Sequence, residues 1–289
     1  MNNSSLSLRP EGKTRAGILR LIGRFVAVLA GLYIILNILL YVFQEKLIFF
    51  PQAISDTACA QIHESYPNVE DICLQMQDGT RLRGWVVGSQ PANTSQLLIY
   101  FGGNGDELSH MIGSFQQYPD WSVVLINYRG YGQSEGKPSE KQLLSDSLEI
   151  YDYFTARPEY KHAKIVVIGR SMGTGVAVNL AQNRPVEGVI LASPYDSVVS
   201  VAQEKIPMVP VKFLLRNKFD SISRAHFISK PVLVITADKD EMIPPWHSQL
   251  LAKAFAGTVF VQEIAGADHD SLIQEDEYWQ AVSHFLKQI

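Results

Sequence analysis

Lys164-Ile165-Val166-Val167-Ile168-Gly169-Arg170-Ser171-Met172-Gly173-Thr174-Gly175-Val176 is the stretch on which the fold turns. Lys164 leads a β-branched run of strand length, and a glycine closes it. From Met172 a helix-compatible segment runs on to Asn183. Ser171 stands at the turn between the two. A serine on so sharp a strand-to-helix turn has a strained backbone, and Cβ atoms close by would clash with it. Gly169, Gly173 and Gly175 remove them. The helix that follows points free amides back toward the serine. The pattern predicts a nucleophile elbow with Ser171 as the attacking group. The pentapeptide Gly169-Arg170-Ser171-Met172-Gly173 is common by itself. The strand before it and the helix after it give it weight.

Working outward, short apolar runs alternate with helical patterns. The runs cover residues 96–101, 122–126, 164–168, 188–192, 231–236 and 258–262. Near-continuous Val/Ile/Leu runs suit strands covered on both faces. Helical segments are expected over 107–117, 140–156, 172–183, 246–255 and 276–287. This alternation implies right-handed crossovers and an α/β domain with a mostly parallel central sheet, helices on both faces. Residues 69–76 and 81–87 flank Asp78-Gly79 and read as an antiparallel hairpin ahead of the parallel part. Residues 194–230 hold no strand pattern and carry Pro207 and Pro210. They read as a small helical insertion over the carboxyl edge of the sheet. Its Ile206, Met208, Phe213, Leu214 and Phe219 would either form an apolar acyl pocket or simply cover the sheet edge. The α/β domain is expected over 69–289.

A serine hydroxyl is a weak nucleophile until a base takes its proton. The expected chain order after the serine is acid, then histidine. Asp240 lies in Asp238-Lys239-Asp240-Glu241-Met242, just beyond the strand at 231–236, where residues at the carboxyl ends of strands face a ligand. Asp238 and Glu241 are its rivals. His269, in Gly266-Ala267-Asp268-His269-Asp270, follows the last strand on a loop of small residues. It is one of seven histidines, and the only one after the acid in such a loop. His63, His162, His226, His247 and His284 fall before the sheet, in the insertion or on helical or connecting segments. An oxyanion needs two backbone amides. Met172, directly after the nucleophile, supplies one. The turn Phe101-Gly102-Gly103-Asn104-Gly105 supplies the other, with Gly103 preferred and Asn104 next.

The N-terminus is a separate matter. Residues 25–43 read FVAVLAGLYIILNILLYVF, without a charge. About 19 residues make roughly 28 Å of helix, enough for a bilayer core of about 30 Å. Arg9, Lys13, Arg15, Arg20 and Arg24 precede it, against Glu11 alone; Glu45 and Lys46 behind it nearly cancel. The positive-inside rule then puts residues 1–24 in the cytoplasm and the domain on the extracytoplasmic, periplasmic side. A cleaved signal peptide would have a shorter core and a small-residue cleavage site. A buried core helix would show a polar face. An uncleaved signal anchor over 25–43, with a connector over 44–68, fits better than either. Cys59 and Cys73 follow the anchor. An exported domain permits a disulfide between them; two unrelated thiols are the other reading.

The chain has 289 residues, with 46% hydrophobic and 19% charged and a formal net charge of -4. No long basic run lies outside the N-terminus, which argues against a nucleic-acid partner. No Cys/His cluster has zinc spacing and no Gly-x-Gly-x-x-Gly follows a strand, so no metal or dinucleotide cofactor is expected.

Asn127-Tyr128-Arg129-Gly130-Tyr131-Gly132-Gln133-Ser134-Glu135-Gly136 resembles the D-Y-R-G-x-G-x-S-x-G signature of one α/β-hydrolase branch. That branch holds the YfhR-type bacterial and the ABHD-type eukaryotic hydrolases, some of which remove palmitate from proteins. The resemblance runs from about residue 44 to the end. It takes in Phe49-Phe50-Pro51, the glycine-rich turn, the elbow, and the loops of Asp240 and His269. It implies an α/β-hydrolase fold, with Ser171 as nucleophile, Asp240 as orienting acid and His269 as base, and no cofactor. Two positions depart from it. The family's His-Gly-Asn is Phe101-Gly102-Gly103 here, and its leading Asp is Asn127. Arg129 reads as a loop anchor. The leading expectation is a membrane-anchored esterase or thioesterase acting on an acyl-ester small molecule, a lipid or an acylated protein. A peptidase or amidase on the same triad, and a non-catalytic tethered binding protein, are the alternatives. Oligomeric state is not legible.

Overall fold

A computed structural model of the chain describes residues 11–88 and 96–289, and for 11–16 the backbone alone. Arg9 therefore lies outside the described residues, as do the side chains of Lys13 and Arg15. The chain divides between Gln44 and Glu45 into two compact units.

The first unit is the greater part of one helix, α1 (Glu11–Ile48), which outruns the apolar segment 25–43 at both ends. Gly17–Ile48 is long and apolar enough to cross a membrane by length and composition, and its most apolar window is not buried at all. The core helix of a soluble protein is mostly buried, which this window is not. Asn37, the one strongly polar residue of the segment, donates its Nδ2 to the carbonyl of Tyr33 at 2.7 Å. Such a bond gives the amide nitrogen a partner within its own helix, as an apolar surrounding demands.

The first whole element of the second unit is α2 (Asp56–Ser65), inside the segment expected as a connector. Ser55 caps it, its hydroxyl accepting from the Ala58 amide at 3.1 Å. Mixed polarity hid this helix; the Ser55-Asp56 start signal was there to be read. Next come β1 (Glu70–Gln75) and β2 (Arg81–Val87), paired antiparallel with Leu74 opposite Leu82. Gly79 has φ 86°, the left-handed conformation the tight turn requires. Then β3 (Gln96–Phe101), α3 (Ile112–Phe115), β4 (Ser122–Ile126), α4 (Glu140–Ala156), β5 (Lys164–Arg170), α5 (Met172–Asn183) and β6 (Gly188–Ala192) follow. After the short helices α6 (Val198–Lys205), α7 (Val211–Leu214) and α8 (Ile222–Ala225) come β7 (Val232–Ala237), α9 (Pro245–Ala252), β8 (Val259–Ile264) and α10 (Asp276–Gln288). The helix expected over 107–117 is a 3₁₀ turn, Leu108–Met111, followed by α3.

The sheet order is β1-β2-β4-β3-β5-β6-β7-β8. β2 runs antiparallel to β1 and β4, and every pair from β4 to β8 is parallel. From β3 the chain steps outward to β4, then returns across to β5 on the other side. The carboxyl ends of β3 and β5 therefore border the switch point, where open α/β sheets form their crevice. Side chains of β3 alternate between two cores. Leu97, Ile99 and Phe101 join Val176, Leu143 and Phe154 on one face. Leu98 and Tyr100 join Met111, Phe115 and Tyr278 on the other. Both faces are covered, which explains the unbroken apolar runs.

Arg129 is buried and chelates Asp146, Nε to Oδ2 at 2.8 Å and Nη2 to Oδ1 at 2.7 Å. Its Nη1 reaches Asp78 and Thr80 in the hairpin turn. It anchors the loop after β4 to α4 and to the β1–β2 turn. Asn127, the departure from the family's Asp, is buried too. It accepts from the Leu108 amide and donates to Glu107, both at 2.9 Å. Cys59 on α2 and Cys73 on β1 are free thiols, and burial pushes the Cys59 thiol up. The insertion residues divide. Phe219 is fully buried, edge-on to Phe49, whereas Met208 is 80% and Phe213 85% exposed.

Removing one partner of a buried ion pair leaves an uncompensated charge. Asp146→Ala is expected to lower stability by about 3–5 kcal/mol. Urea unfolding measures it, and a midpoint unchanged from the parent would refute the anchoring role.

Candidate active site

Ser171 lies where β5 gives way to α5, with φ 50° and ψ -119°, outside the regions L-residues favour. Its amide donates to the carbonyl of Ala192 on neighbouring β6 at 2.8 Å. Its own carbonyl accepts from the Thr174 amide at 3.0 Å and the Thr174 hydroxyl at 2.6 Å. Those contacts hold the turn. A Cβ on Gly169 would stand 2.5 Å from the Gly173 oxygen, and one on Gly173 would run into the carbonyls of Phe101 and Gly102. The elbow thus packs backbone to backbone against the turn after β3.

His269 approaches from the loop after β8. Its Nε2 is 2.9 Å from Ser171 Oγ and its Nδ1 is 2.8 Å from Asp240 Oδ2. A carboxylate can only accept, so Nδ1 carries the proton and donates, and Nε2 is left to accept from the serine hydroxyl. Asp240 is buried, and its other oxygen accepts from the amides of Ile243 at 2.7 Å and Met242 at 3.0 Å. Burial alone would raise its carboxyl. The hydrogen bond and charge of His269 and the Ile243 amide outweigh burial and hold it below the usual value. The rivals are differently engaged. Asp238 accepts from the Gly266 amide at 2.7 Å, and the Glu241 carbonyl takes the Lys205 ammonium. His247, passed over in the sequence as a helix residue, is fully buried between Asp196 at 2.6 Å and Glu204 at 3.0 Å.

The expected oxyanion turn brings a correction. The Gly103 amide is not open; it donates to Asp106 Oδ2 at 2.6 Å. Arg170 holds that carboxylate there, with Nη1 3.0 Å from both oxygens. Arg170 Nη2 also donates to the His269 carbonyl at 3.2 Å. One buried guanidinium thus ties the elbow, the glycine-rich turn and the histidine loop together. Neither Arg170 nor Asp106 was singled out from the sequence. The readable signal was an arginine inside the elbow motif, since an arginine buried at such a turn needs an acid partner. Gly103 remains beside the serine, since a Cβ placed on it would lie 3.5 Å from Ser171 Cβ. Met172 opens α5, so no carbonyl within the helix takes its amide. The turn is fixed further along, where the Asn104 carbonyl accepts from the Phe50 amide at 2.9 Å and from Tyr131 at 2.6 Å.

A cleft of about 610 Å³ opens beside His269, lined by Lys239, Glu241, Met242, Asp268 and Asp270 among others. Among the described residues no group of His, Cys, Asp and Glu is arranged to hold a metal ion.

Comparison with known proteins places these features in context. Residues 105–222 match the family model described as serine aminopeptidase, S33; that span holds Ser171 but not Asp240 or His269. The chain is 30% identical over 280 residues to the alpha/beta hydrolase domain-containing protein WAV2 of Arabidopsis thaliana, covering 86% of this chain and 89% of that one. It is 28% identical over 224 residues to the uncharacterized membrane protein YNL320W of Saccharomyces cerevisiae, covering 75% and 79%. Among solved structures, the Pyrococcus furiosus esterase Pf2001 superposes with a TM-score of 0.63 at 16% identity, over 83% of this chain and 97% of that one. That likeness concerns the fold.

Two outcomes follow from the geometry. Gly173→Ala is expected to cost about 1–3 kcal/mol by overpacking, read as a lowered thermal midpoint; a variant as stable as the parent would contradict the close approach. Asp240 titrates below its usual 3.8 in the fold, so its contribution is present above the unfolded value and lost as pH falls through the folded one. The stability gap between the parent and Asp240→Asn should stay constant above about pH 5 and close below it. Urea midpoints across pH measure this, and a gap that widens in acid would refute it.

Proposed function

The chain belongs to the α/β-hydrolase family, in the branch of the YfhR-type and ABHD-type hydrolases, and we propose that it is a membrane-anchored serine hydrolase cleaving a carboxylic ester or thioester. The observation that carries this reading is the hydrogen-bonded series Ser171–His269–Asp240, at 2.9 and 2.8 Å, with the serine on a strained turn. Ser171 Oγ attacks the acyl carbon while its proton passes to His269 Nε2. Asp240 keeps the imidazole oriented and stabilises its charged form. The Met172 amide, at the start of α5, meets the developing oxyanion. The second donor comes from the turn after β3, which packs against the elbow. The intermediate collapses, and the leaving group departs with the proton from Nε2. Water then attacks the acyl-serine through the same base and releases the acid. The residues need no cofactor for these steps.

The apolar helix supports anchoring. Arg20 and Arg24 on its N-terminal side, with the basic residues before them, favour a cytoplasmic N-terminus and an extracytoplasmic hydrolase domain. An anchored enzyme suits an acyl substrate at a membrane. A second reading is a peptidase or amidase on the same residues. It is favoured by the aminopeptidase family match and by Glu241, Asp268 and Asp270 around the cleft, which would hold a substrate amine.

A fluorophosphonate probe should label the full-length protein and leave Ser171→Ala unlabelled, with ester turnover in the variant down by about 10³-fold or more. Equal labelling of both would end the nucleophile assignment. p-Nitrophenyl esters of rising chain length, set against aminoacyl p-nitroanilides, separate the two readings. Faster turnover of the anilides would favour the peptidase.

A further inference from the structure

The insertion carries large apolar side chains held outward in a basic setting. Met208 and Phe213 are 80% and 85% exposed, and Ile206 is exposed with them. Their neighbours Val209 and Val211 are buried and fix the segment from below. Gln203 fixes it from the side, donating Nε2 to the carbonyls of Pro207 at 3.1 Å and Val209 at 3.0 Å. The outward pose of Met208 and Phe213 therefore belongs to a braced loop. Lys212 and Arg216 are exposed in the same stretch. Exposed apolar residues interleaved with cations mark surfaces that enter the lipid interface, with aliphatic and aromatic groups at the acyl boundary and cations at the phosphates.

The location of this stretch identifies the occupant. Arg216 Nη2 is 3.2 Å from Glu45 Oε1. Glu45 comes two residues after Phe43, where the apolar run of α1 ends. The loop of Met208 and Phe213 thus lies close, through Arg216 three residues after Phe213, to the end of the apolar run. A charged residue at that point marks the interfacial level of an anchored chain. We propose that residues 206–213 dock into the surface of the phospholipid bilayer that the N-terminal helix crosses, with Met208 and Phe213 entering the acyl–headgroup boundary and Lys212 facing the phosphates. The proposal rests on the anchor reading above. It deepens the substrate class, because an insertion seated in lipid draws acyl esters from the bilayer instead of from solution.

Site-directed spin labelling of the full chain tests it. In a background with Cys59→Ser and Cys73→Ser, nitroxides are attached at Met208→Cys, at Phe213→Cys and, within the anchor, at Leu32→Cys. The proteins are reconstituted into vesicles of phosphatidylcholine with phosphatidylglycerol. At Met208 and Phe213 the ratio of collisions with oxygen to collisions with a water-soluble nickel chelate should rise several-fold above that of a free nitroxide in buffer. A Leu32 label in lipid with both insertion labels in water would overturn the docking and leave the anchor standing. A Leu32 label in water as well would overturn both. Dipolar broadening between insertion labels, without oxygen contact, would mean that a second copy covers the surface, and would also overturn lipid docking.

Discussion

The backbone of Ser171, held at φ 50° and ψ -119°, is the constraint on which the site depends. Left alone, a serine relaxes out of this conformation at a gain of about 1–3 kcal/mol. The surroundings must over-determine it, and they do so by close packing of main chain. The Ser171 amide is taken by β6, its carbonyl by Thr174, and Gly173 lies flat against the carbonyls that end β3. The parallel order β3-β5-β6 is what brings those carbonyls alongside. The sheet topology and the strained serine are thus two aspects of one arrangement.

A buried guanidinium extends that arrangement outward. Arg170 points from the elbow to Asp106 and to the carbonyl of His269. It joins loops that follow β3, β5 and β8, distant in the chain and adjacent only because of the strand order. Burial makes each contact obligatory, since an uncompensated guanidinium in this position would be costly. The same pair explains why the Gly103 amide is engaged: a carboxylate held in place by an arginine accepts the nearest donor. The glycine-rich turn is therefore electrostatically coupled to the histidine loop. The sequence contains both residues and no local sign that they meet.

The insertion shows how one segment can serve two environments. Phe219 closes the core beneath it, packed on Phe49, while Met208 and Phe213 stand in the open on a braced loop. Composition alone cannot separate these roles, because all three residues are large and apolar. Only the direction of each side chain, set by Val209 and Val211 turning inward, distributes them between core and surface.

Much of the molecule was legible in advance, and for local reasons. The runs 96–101, 122–126 and 188–192 announced β3, β4 and β6 with the bounds observed, because a strand covered on both faces must be apolar throughout. α4 and α5 were equally plain. The elbow was legible because its glycines answer a steric demand within a few residues. α2 was missed because its polarity is mixed, and the helix at 107–117 formed as a 3₁₀ turn, Leu108–Met111, and a short helix, Ile112–Phe115. What the chain determined by itself was the alternation of strand and helix, the apolar helix at the start, and a serine that only a glycine-flanked turn could hold. Which acid faces His269, where Asp106 and Arg170 meet, and which amides remain open were decided by tertiary structure. The contacts of His269 with Asp240, of Arg170 with Asp106 and of His269 with Ser171 span 29, 64 and 98 residues of chain, and no local pattern specifies a distance in space between such remote positions.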